Sequence, residues 1–524
     1  MDLSMLNKEQ RLAAETLEGP VLILAGAGSG KTRALTYRVA NLIDHGVKAW
    51  SILALTFTNK AAKEMKNRTA ALVGDEQAED AWISTFHSTC ARILRRDIEK
   101  LGYSRSFVIY DDDDQNSVLK EILKRLNIDE KTLTTRELKA KISDAKNKLM
   151  SPDEWFQHSE RDFRASMIHD VYNEYESRLK TLNALDFDDL LVKTLELLCD
   201  HQPVLDSYRR RFRYVMVDEY QDTNYAQYML VKLLTAESRN LCVVGDDDQS
   251  IYGWRGADIR NILDFQKDYP DATVIKLEQN YRSTANILDA ANQVIANNVG
   301  RTEKRLWTEA DAGDPIKLFC AGDEREEAAW VADRIRQMNR LGEPYGNVAV
   351  LYRTNGQSRV LEEMLVRAAV PYKVFGGQKF YERREIRDII AYMRVIANPA
   401  DDLSLRRIIN IPKRSIGEST VNELAECAHQ REVPIFSVLS ELPESLSSRP
   451  RKCVTDFFTL MTMLTAMKET MPLSEFITFL VEQTGLREQY AHEDTDDARS
   501  RVENIDEFIG AVEEFCKQSE NATL

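Results

Sequence analysis

The segment Ala25-Gly26-Ala27-Gly28-Ser29-Gly30-Lys31-Thr32 sets glycines at alternate positions ahead of a lysine and a hydroxyl. Glycines let backbone N–H groups close on phosphate oxygens. The lysine can reach the β- and γ-phosphates of a nucleoside triphosphate, and the hydroxyl can ligate Mg²⁺. This is a P-loop with Ala25 in place of the usual first glycine. Ala27, Gly28, Ser29, Gly30, Lys31, Thr32 and the following Arg33 are the candidate phosphate-binding residues. An apolar run precedes the loop and a helical pattern follows it, so a helix dipole also faces the anion. A glycine-rich turn with no ligand is the alternative, and it would make that context accidental.

Two acidic segments follow apolar runs. Residues 214–217 end in Asp218-Glu219, where Asp218 can hold Mg²⁺ opposite Thr32 and Glu219 can polarise an attacking water. A solvated acidic turn is the other reading. Leu241–Gly245 ends in Asp246-Asp247-Asp248-Gln249. Gln249 is placed to sense the γ-phosphate or orient water, although three aspartates also fit a solvated loop.

The elements that must position these groups are short, β-branched runs: Val21–Ala25, Ile52–Thr56, 214–218, Leu241–Gly245 and 274–277. Helical patterns separate them. The alternation predicts an α/β fold with a mainly parallel sheet, helices on both faces and ligands at the carboxyl ends of the strands. Residues 89–210 read as consecutive helices, such as 113–126 and 135–149, and are expected to form an inserted helical domain. A second strand series is expected at 316–320, 348–353 and 372–375. From 384 to 524 the pattern is helical again.

With these residues in place, the sequence resembles the UvrD/Rep/PcrA group of superfamily 1 DNA helicases, nearest in texture to the PcrA type. Leu6-Asn7-Lys8-Glu9-Gln10 resembles the Q motif, and Thr56-Phe57-Thr58-Asn59-Lys60-Ala61-Ala62 motif Ia. Ile83-Ser84-Thr85-Phe86-His87 resembles motif Ib, and Leu185-Asp186-Phe187-Asp188-Asp189-Leu190 the Ic segment. Val217 to Asp222 is similar to motif II, Gly245 to Gly256 to motif III, and Leu277-Glu278-Gln279-Asn280-Tyr281-Arg282-Ser283 to motif IV. Seven matches in family order span more than half of the chain.

The resemblance implies RecA-like P-loop domains with ATP between them, and two mainly helical insertions. The first motor domain would comprise 1–88 and 211–273, the second 274–383, and a mobile helical domain 384–524. Gln10 would lie on the adenine edge and Tyr281 on the base face. Arg282 would be an arginine finger supplied by the second motor domain, completing a catalytic set with Lys31, Glu219 and Gln249. Movement 3′ to 5′ is likewise implied by the resemblance alone.

Single-stranded DNA bound without sequence preference needs aromatic platforms beside cations. Phe57, Phe187, Tyr252 and Trp254, with Asn59, His87 and Arg255, supply candidates. Core packing is the alternative for Phe57 and Phe187, and a structural histidine for His87. Residues 411–420 are similar to a duplex-contacting segment, in which Lys413 and Arg414 could grip phosphates at a single-strand/duplex junction. An ordinary basic interhelical loop fits the same residues.

Composition sets limits. A net charge of −15 and a pI near 5.2 mean that bulk charge does not recruit a polyanion, so a local groove must do so. Seven dispersed cysteines without a CxxC pair indicate neither a zinc site nor a disulfide framework, and fit a reducing cytoplasm. No apolar run is long enough to span a membrane. Accessory repair or replication proteins and a monomer or weak dimer are the expected partners and assembly.

No segment resembling the family's motif V or motif VI is found, so the C-terminal part of the machine is expected to be absent and the second sheet incomplete. Three readings follow: an ATP-dependent DNA helicase of repair or replication, an ATP- and single-strand-binding module that does not translocate, or the motor part of a helicase–nuclease.

Overall fold

The computed structural model describes residues 1–524 apart from 161, 299, 303, 376–380, 382, 432, 492–495, 519–522 and 524. Its centre is a six-stranded sheet formed by β1 (Val21–Ala25), β2 (Ile52–Thr56), β3 (Trp82–Thr85), β6 (Tyr214–Val217), β7 (Leu241–Gly245) and β8 (Thr273–Leu277). The order is β3-β2-β6-β7-β1-β8, and every pairing is parallel. A parallel sheet needs cover on both faces. Alternate residues of the same strands supply two cores: Leu22, Leu24, Leu53, Leu55, Val215 and Val217 face one way, and Val21, Ile23, Ile52, Ala54 and Met216 the other. That is why the strands read as unbroken apolar runs.

The sequence expectation needs three corrections. First, β8 does not open a second sheet. It ladders along β1 from Val21↔Thr273 to Ala25↔Leu277, as the edge of the first sheet. Pairing partners are non-local, and an apolar run cannot name its own. Second, the helical insertion is narrower than 89–210. Its own core runs from Val108 to Ala184, around the helices Asp112–Arg125, Thr135–Asn147 and Phe163–Thr181. A short parallel pair, β4 (Val108–Ile109) with β5 (Ala184–Leu185), closes its base. The flanking helices Phe86–Asp97, Phe187–Asp200 and Gln202–Arg211 carry apolar stripes that join the sheet's core instead.

Third, 316–320, 348–353 and 372–375 form no strand among the described residues. A strand exists only as a pairing, and these segments have no ladder partner there. Ile316, Leu318, Leu351 and Phe375 are exposed. A small core of Ala332, Ile335, Leu365 and Val370 holds the helices Glu324–Arg340 and Ser358–Arg367 together.

From Arg384 onward the chain is helical, with one core running from Ile386 to Phe508. This unit meets the insertion through polar bonds: the Tyr110 hydroxyl donates to Asp401 at 2.8 Å, Arg394 to Asp114 at 2.7 Å, and Asn398 to the Leu182 carbonyl at 3.0 Å. No described helix is long and apolar enough to cross a membrane.

Candidate nucleotide and nucleic-acid site

β1 delivers the P-loop at its carboxyl end, and the helix Lys31–Asp44 starts from it. Gly28 and Gly30 take left-handed φ values of 68° and 85°. At Gly28 a Cβ would also meet Asn280 Nδ2 at 2.6 Å, so both conformation and space require glycine. The Ser29 hydroxyl donates to the Gly26 carbonyl at 2.7 Å and fixes the loop from inside. Thr32 is half-buried in the first helical turn. The Arg33 guanidinium lies 5.9 Å from the Tyr37 ring centre.

Lys31 Nζ donates to Glu219 Oε2 at 2.7 Å. Glu219 directly follows Asp218 at the end of β6, and its backbone is left-handed, φ 52° and ψ 44°, which turns its carboxylate toward the P-loop lysine. Asp218 is buried and accepts a bond from the Glu219 amide at 3.0 Å. Burial and the Glu219 charge push its carboxyl up to about 6, with Lys31 pulling the other way. A buried carboxylate with spare acceptor capacity, at the strand end that faces the P-loop lysine, suits an oxygen-seeking divalent cation. Gln221 Nε2 donates to Glu219 at 3.1 Å, and its Oε1 accepts from the Asp246 amide at 3.0 Å. That one side chain joins the ends of β6 and β7. Gln249 Nε2 donates to Asp246 Oδ2 at 2.5 Å.

The other wall is built from the N-terminal helix and the turn after β8. Asn7 caps the helix Lys8–Glu15 in a reciprocal box with Gln10. Gln10 is buried, and its Nε2 donates to the Ser29 carbonyl at 2.8 Å, so in this state its amide braces the P-loop. Asn7 Nδ2 donates to the Tyr281 hydroxyl at 2.8 Å, while the Tyr281 ring stays exposed. The Tyr281 amide donates to the Gly28 carbonyl at 3.0 Å, and Asn280 Nδ2 to the Ala27 carbonyl at 2.6 Å. Arg282 follows directly on β8, the edge strand of the P-loop's own sheet, and its Cβ lies beside Gly28.

The aromatic candidates divide by exposure. Phe57 is half-buried, edge-on to Phe86 at 5.8 Å. Asn59 is exposed at the start of the helix Asn59–Val73. Phe187 is 51% exposed and edge-on to His87 at 5.5 Å; burial lowers the His87 pKa, which favours a neutral ring. Trp254 is 74% exposed, its ring 6.5 Å from that of Tyr252. The side chain of Arg255 lies outside the described ones. Lys413 is exposed. Arg414 is not available to phosphate: its guanidinium donates to the carbonyls of Ile408, Ile411, Pro412 and Thr484 at 2.8–3.2 Å. The turn's own carbonyls hold these donors, which favours a structural role for Arg414 over the DNA contact expected of it.

Asn280, Gln221 and Lys304 were not singled out by residue type. Asn280 and Gln221 lie inside matched motifs and could have been found there. Lys304 sits in the charged run Arg301 to Arg305, which reads as solvated surface.

A P-loop at the end of a buried parallel strand, with a lysine, two acidic groups and an arginine-bearing turn converging on it, defines an α/β P-loop protein built to bind and hydrolyse a nucleoside triphosphate. The chain belongs to the UvrD/REP helicase family. Residues 6–270 match the UvrD/REP helicase N-terminal domain, and 275–523 the UvrD-like helicase C-terminal domain. That second match overturns the expectation that the family's C-terminal part is absent. The chain is 49% identical over 515 residues to the ATP-dependent DNA helicase PcrA of Staphylococcus aureus strain NCTC 8325 / PS 47, covering 98% of this chain and 70% of that protein. It is 49% identical over 512 residues to the ATP-dependent DNA helicase PcrA of Staphylococcus epidermidis strain ATCC 12228 / FDA PCI 1200, covering 97% of this chain and 70% of that protein.

Proposed function

We propose that the chain is an ATP-dependent DNA helicase that moves 3′ to 5′ on single-stranded DNA and acts in cytoplasmic DNA repair or replication. One observation carries the reading: the phosphate-facing loop after β7 also carries the exposed pair Tyr252 and Trp254. Gln249 and Trp254 are five positions apart, so a change at the phosphate reaches the DNA platform through one short segment.

In this reading Ala27 to Arg33 cradle the phosphates, and Gln10 and Tyr281 bound the adenine. Thr32 and Asp218 would hold Mg²⁺, which when bound would supply charge neutralisation to the triphosphate. An incoming γ-phosphate takes Lys31 from Glu219. That frees the Glu219 carboxylate to accept a proton from the attacking water, which Gln249 orients. Arg282 stabilises the charge developing on the γ-phosphoryl group. Phe57, Asn59, His87, Phe187, Tyr252 and Trp254 line the single strand, and Lys413 meets the duplex at a junction. The domain division belongs to the same proposal: a P-loop lobe through β8, a helical insertion, a second lobe after β8 and a helical C-terminal domain. Accessory proteins and a monomer or weak dimer complete it.

The test is ATP hydrolysis by this chain with and without single-stranded DNA, beside a Lys31→Ala control. DNA-stimulated turnover that the control lacks is expected. ATP binding with turnover indifferent to DNA would overturn the translocase reading.

A further inference from the structure

Three carboxylates that could gather a metal ion, Asp246, Asp247 and Asp248, have ligand atoms within 4.8 Å of one another. A lysine from elsewhere in the chain already sits among them. Lys304 is buried, and its Nζ is 2.7 Å from Asp246 Oδ1, 2.8 Å from Asp248 Oδ2, and bonded to Asp247 Oδ1. Burial alone would depress its pKa, but the three carboxylates outweigh burial and hold it above the ordinary lysine range. Arg301 adds a bond to Asp248 at 2.9 Å, and the Thr302 amide one to Asp247 at 2.6 Å.

The same short segment continues to the P-loop. A Cβ at Gly26 would collide with Leu306, so that side chain rests on the loop. The Arg305 amide donates to the Glu278 carboxylate at 2.9 Å and the Trp307 amide to the Glu278 carbonyl at 3.1 Å. The Trp307 carbonyl accepts from the Asn280 amide at 2.7 Å, and Asn280 in turn grips Ala27. On the other side, Asp246 connects through Gln221 to Glu219 and Lys31. The bonds run in a closed ring from the P-loop, through the ends of β6 and β7, and back along residues 304–307.

We propose that residues 304–307 form a strap, with Lys304 as its positioning residue, that sets the Asp246–Trp254 loop against the P-loop and the Asn280–Arg282 turn and so couples the DNA platform to turnover. The coupling rests on the reading given under Proposed function; the strap's geometry does not. A buried ammonium among three carboxylates has no neutral substitute, because removing it leaves unpaired buried charge. Without it Asp246 and Asp247 lose the ammonium that pairs them, while Asp248 keeps Arg301.

The experiment compares wild type, Lys304→Met, Lys304→Arg and Arg301→Gln in ATPase assays with and without a single-stranded oligonucleotide, and in hydrogen exchange of residues 246–257. For Lys304→Met, DNA-stimulated kcat is expected to fall about tenfold while KM for ATP changes by less than about twofold. Exchange of 246–257 is expected to rise, and Lys304→Arg to restore most of both. If Lys304→Met does not fold, Arg301→Gln is expected to move the same two readouts in the same direction, less far. Wild-type stimulation with an unchanged stimulation ratio in the variants overturns the strap. A wild type that DNA does not stimulate overturns the functional reading instead, and unchanged exchange at 246–257 then overturns the strap independently.

Discussion

Two lysines in this molecule meet carboxylates under opposite conditions. Lys31 has one partner, Glu219, and the side chains are 12% and 39% exposed. Lys146 has three, Asp186, Asp189 and Glu176, at 2.7–2.8 Å, and its side chain is 2% exposed. Burial pushes the carboxyls of the second cluster up. Against that, Lys146 holds Asp186 below the usual carboxylate range, while Asp189, facing Asp186, stays well above it. A single pair with one partly exposed partner opens at low cost, because the carboxylate it leaves can be hydrated. A sealed cluster cannot open without stranding charge in a low-dielectric interior. The first arrangement suits a lysine that must change partners in each cycle. The second suits a joint, here between the helix Thr135–Asn147 of the insertion and the Phe187-bearing start of the next sheet-packed helix.

The sharpest way to break this comparison is at Lys31. Lys31→Ala is expected to lower kcat by about 10³-fold through lost phosphate neutralisation, yet to lower the unfolding free energy from chemical denaturation by no more than about 1 kcal/mol. A large stability loss would put Lys31 in the same class as Lys146. The reverse is expected of Lys146→Met: a loss of about 3–5 kcal/mol in the same denaturation measurement. Glu219→Gln should retain ATP binding, measured with a fluorescent nucleotide, while turnover drops by about 10²–10³-fold. Normal hydrolysis by that variant would remove Glu219 from the role of general base.

Trp254→Ala should weaken single-strand binding by about 1–3 kcal/mol in a fluorescence anisotropy titration, with nucleotide binding near normal. Unchanged DNA affinity would return the indole to a purely structural role.

The smallest effect lies at the rim of the sealed cluster. Burial, followed by the Asp186 charge, pushes the Asp188 carboxyl up to about 6. A folded-state pKa raised above the unfolded value gives stability that is full below about pH 4 and is lost as pH rises through about 6. Asp188→Asn, measured by thermal unfolding between pH 5 and pH 7.5, should therefore gain on wild type toward the higher pH, by about 1 kcal/mol after allowance for partial exposure. A gap independent of pH would show that Asp188 does not titrate in this range.

Much of the site was legible because its residues follow strands whose burial forces an apolar run. β1, β6 and β7 announce themselves, and the loops at their ends hold Lys31, Asp218, Glu219 and Gln249. What was not legible depends on pairing at a distance. The run 274–277 reads as a strand, but only its ladder with β1 shows that Arg282 hangs from the P-loop's own sheet. Residues 316–320 have strand composition and no partner among the described residues. Arg414 looks like a phosphate ligand until its carbonyl acceptors are seen. Lys304 gives no signal in a charged run, because what distinguishes it is the aspartate triplet it meets across more than fifty positions.

Glu219 meets Lys31 from a left-handed backbone, a conformation that costs a residue with a side chain about 1–2 kcal/mol. Glycine would relieve that strain and asparagine would tolerate it, and neither carries the acid–base group. Selection for heat resistance and selection for turnover therefore pull this codon in opposite directions. A library of variants screened for survival of heating alone would drift away from glutamate here, and on the proposed role of Glu219 its thermally hardier members would be the ones that no longer turn over.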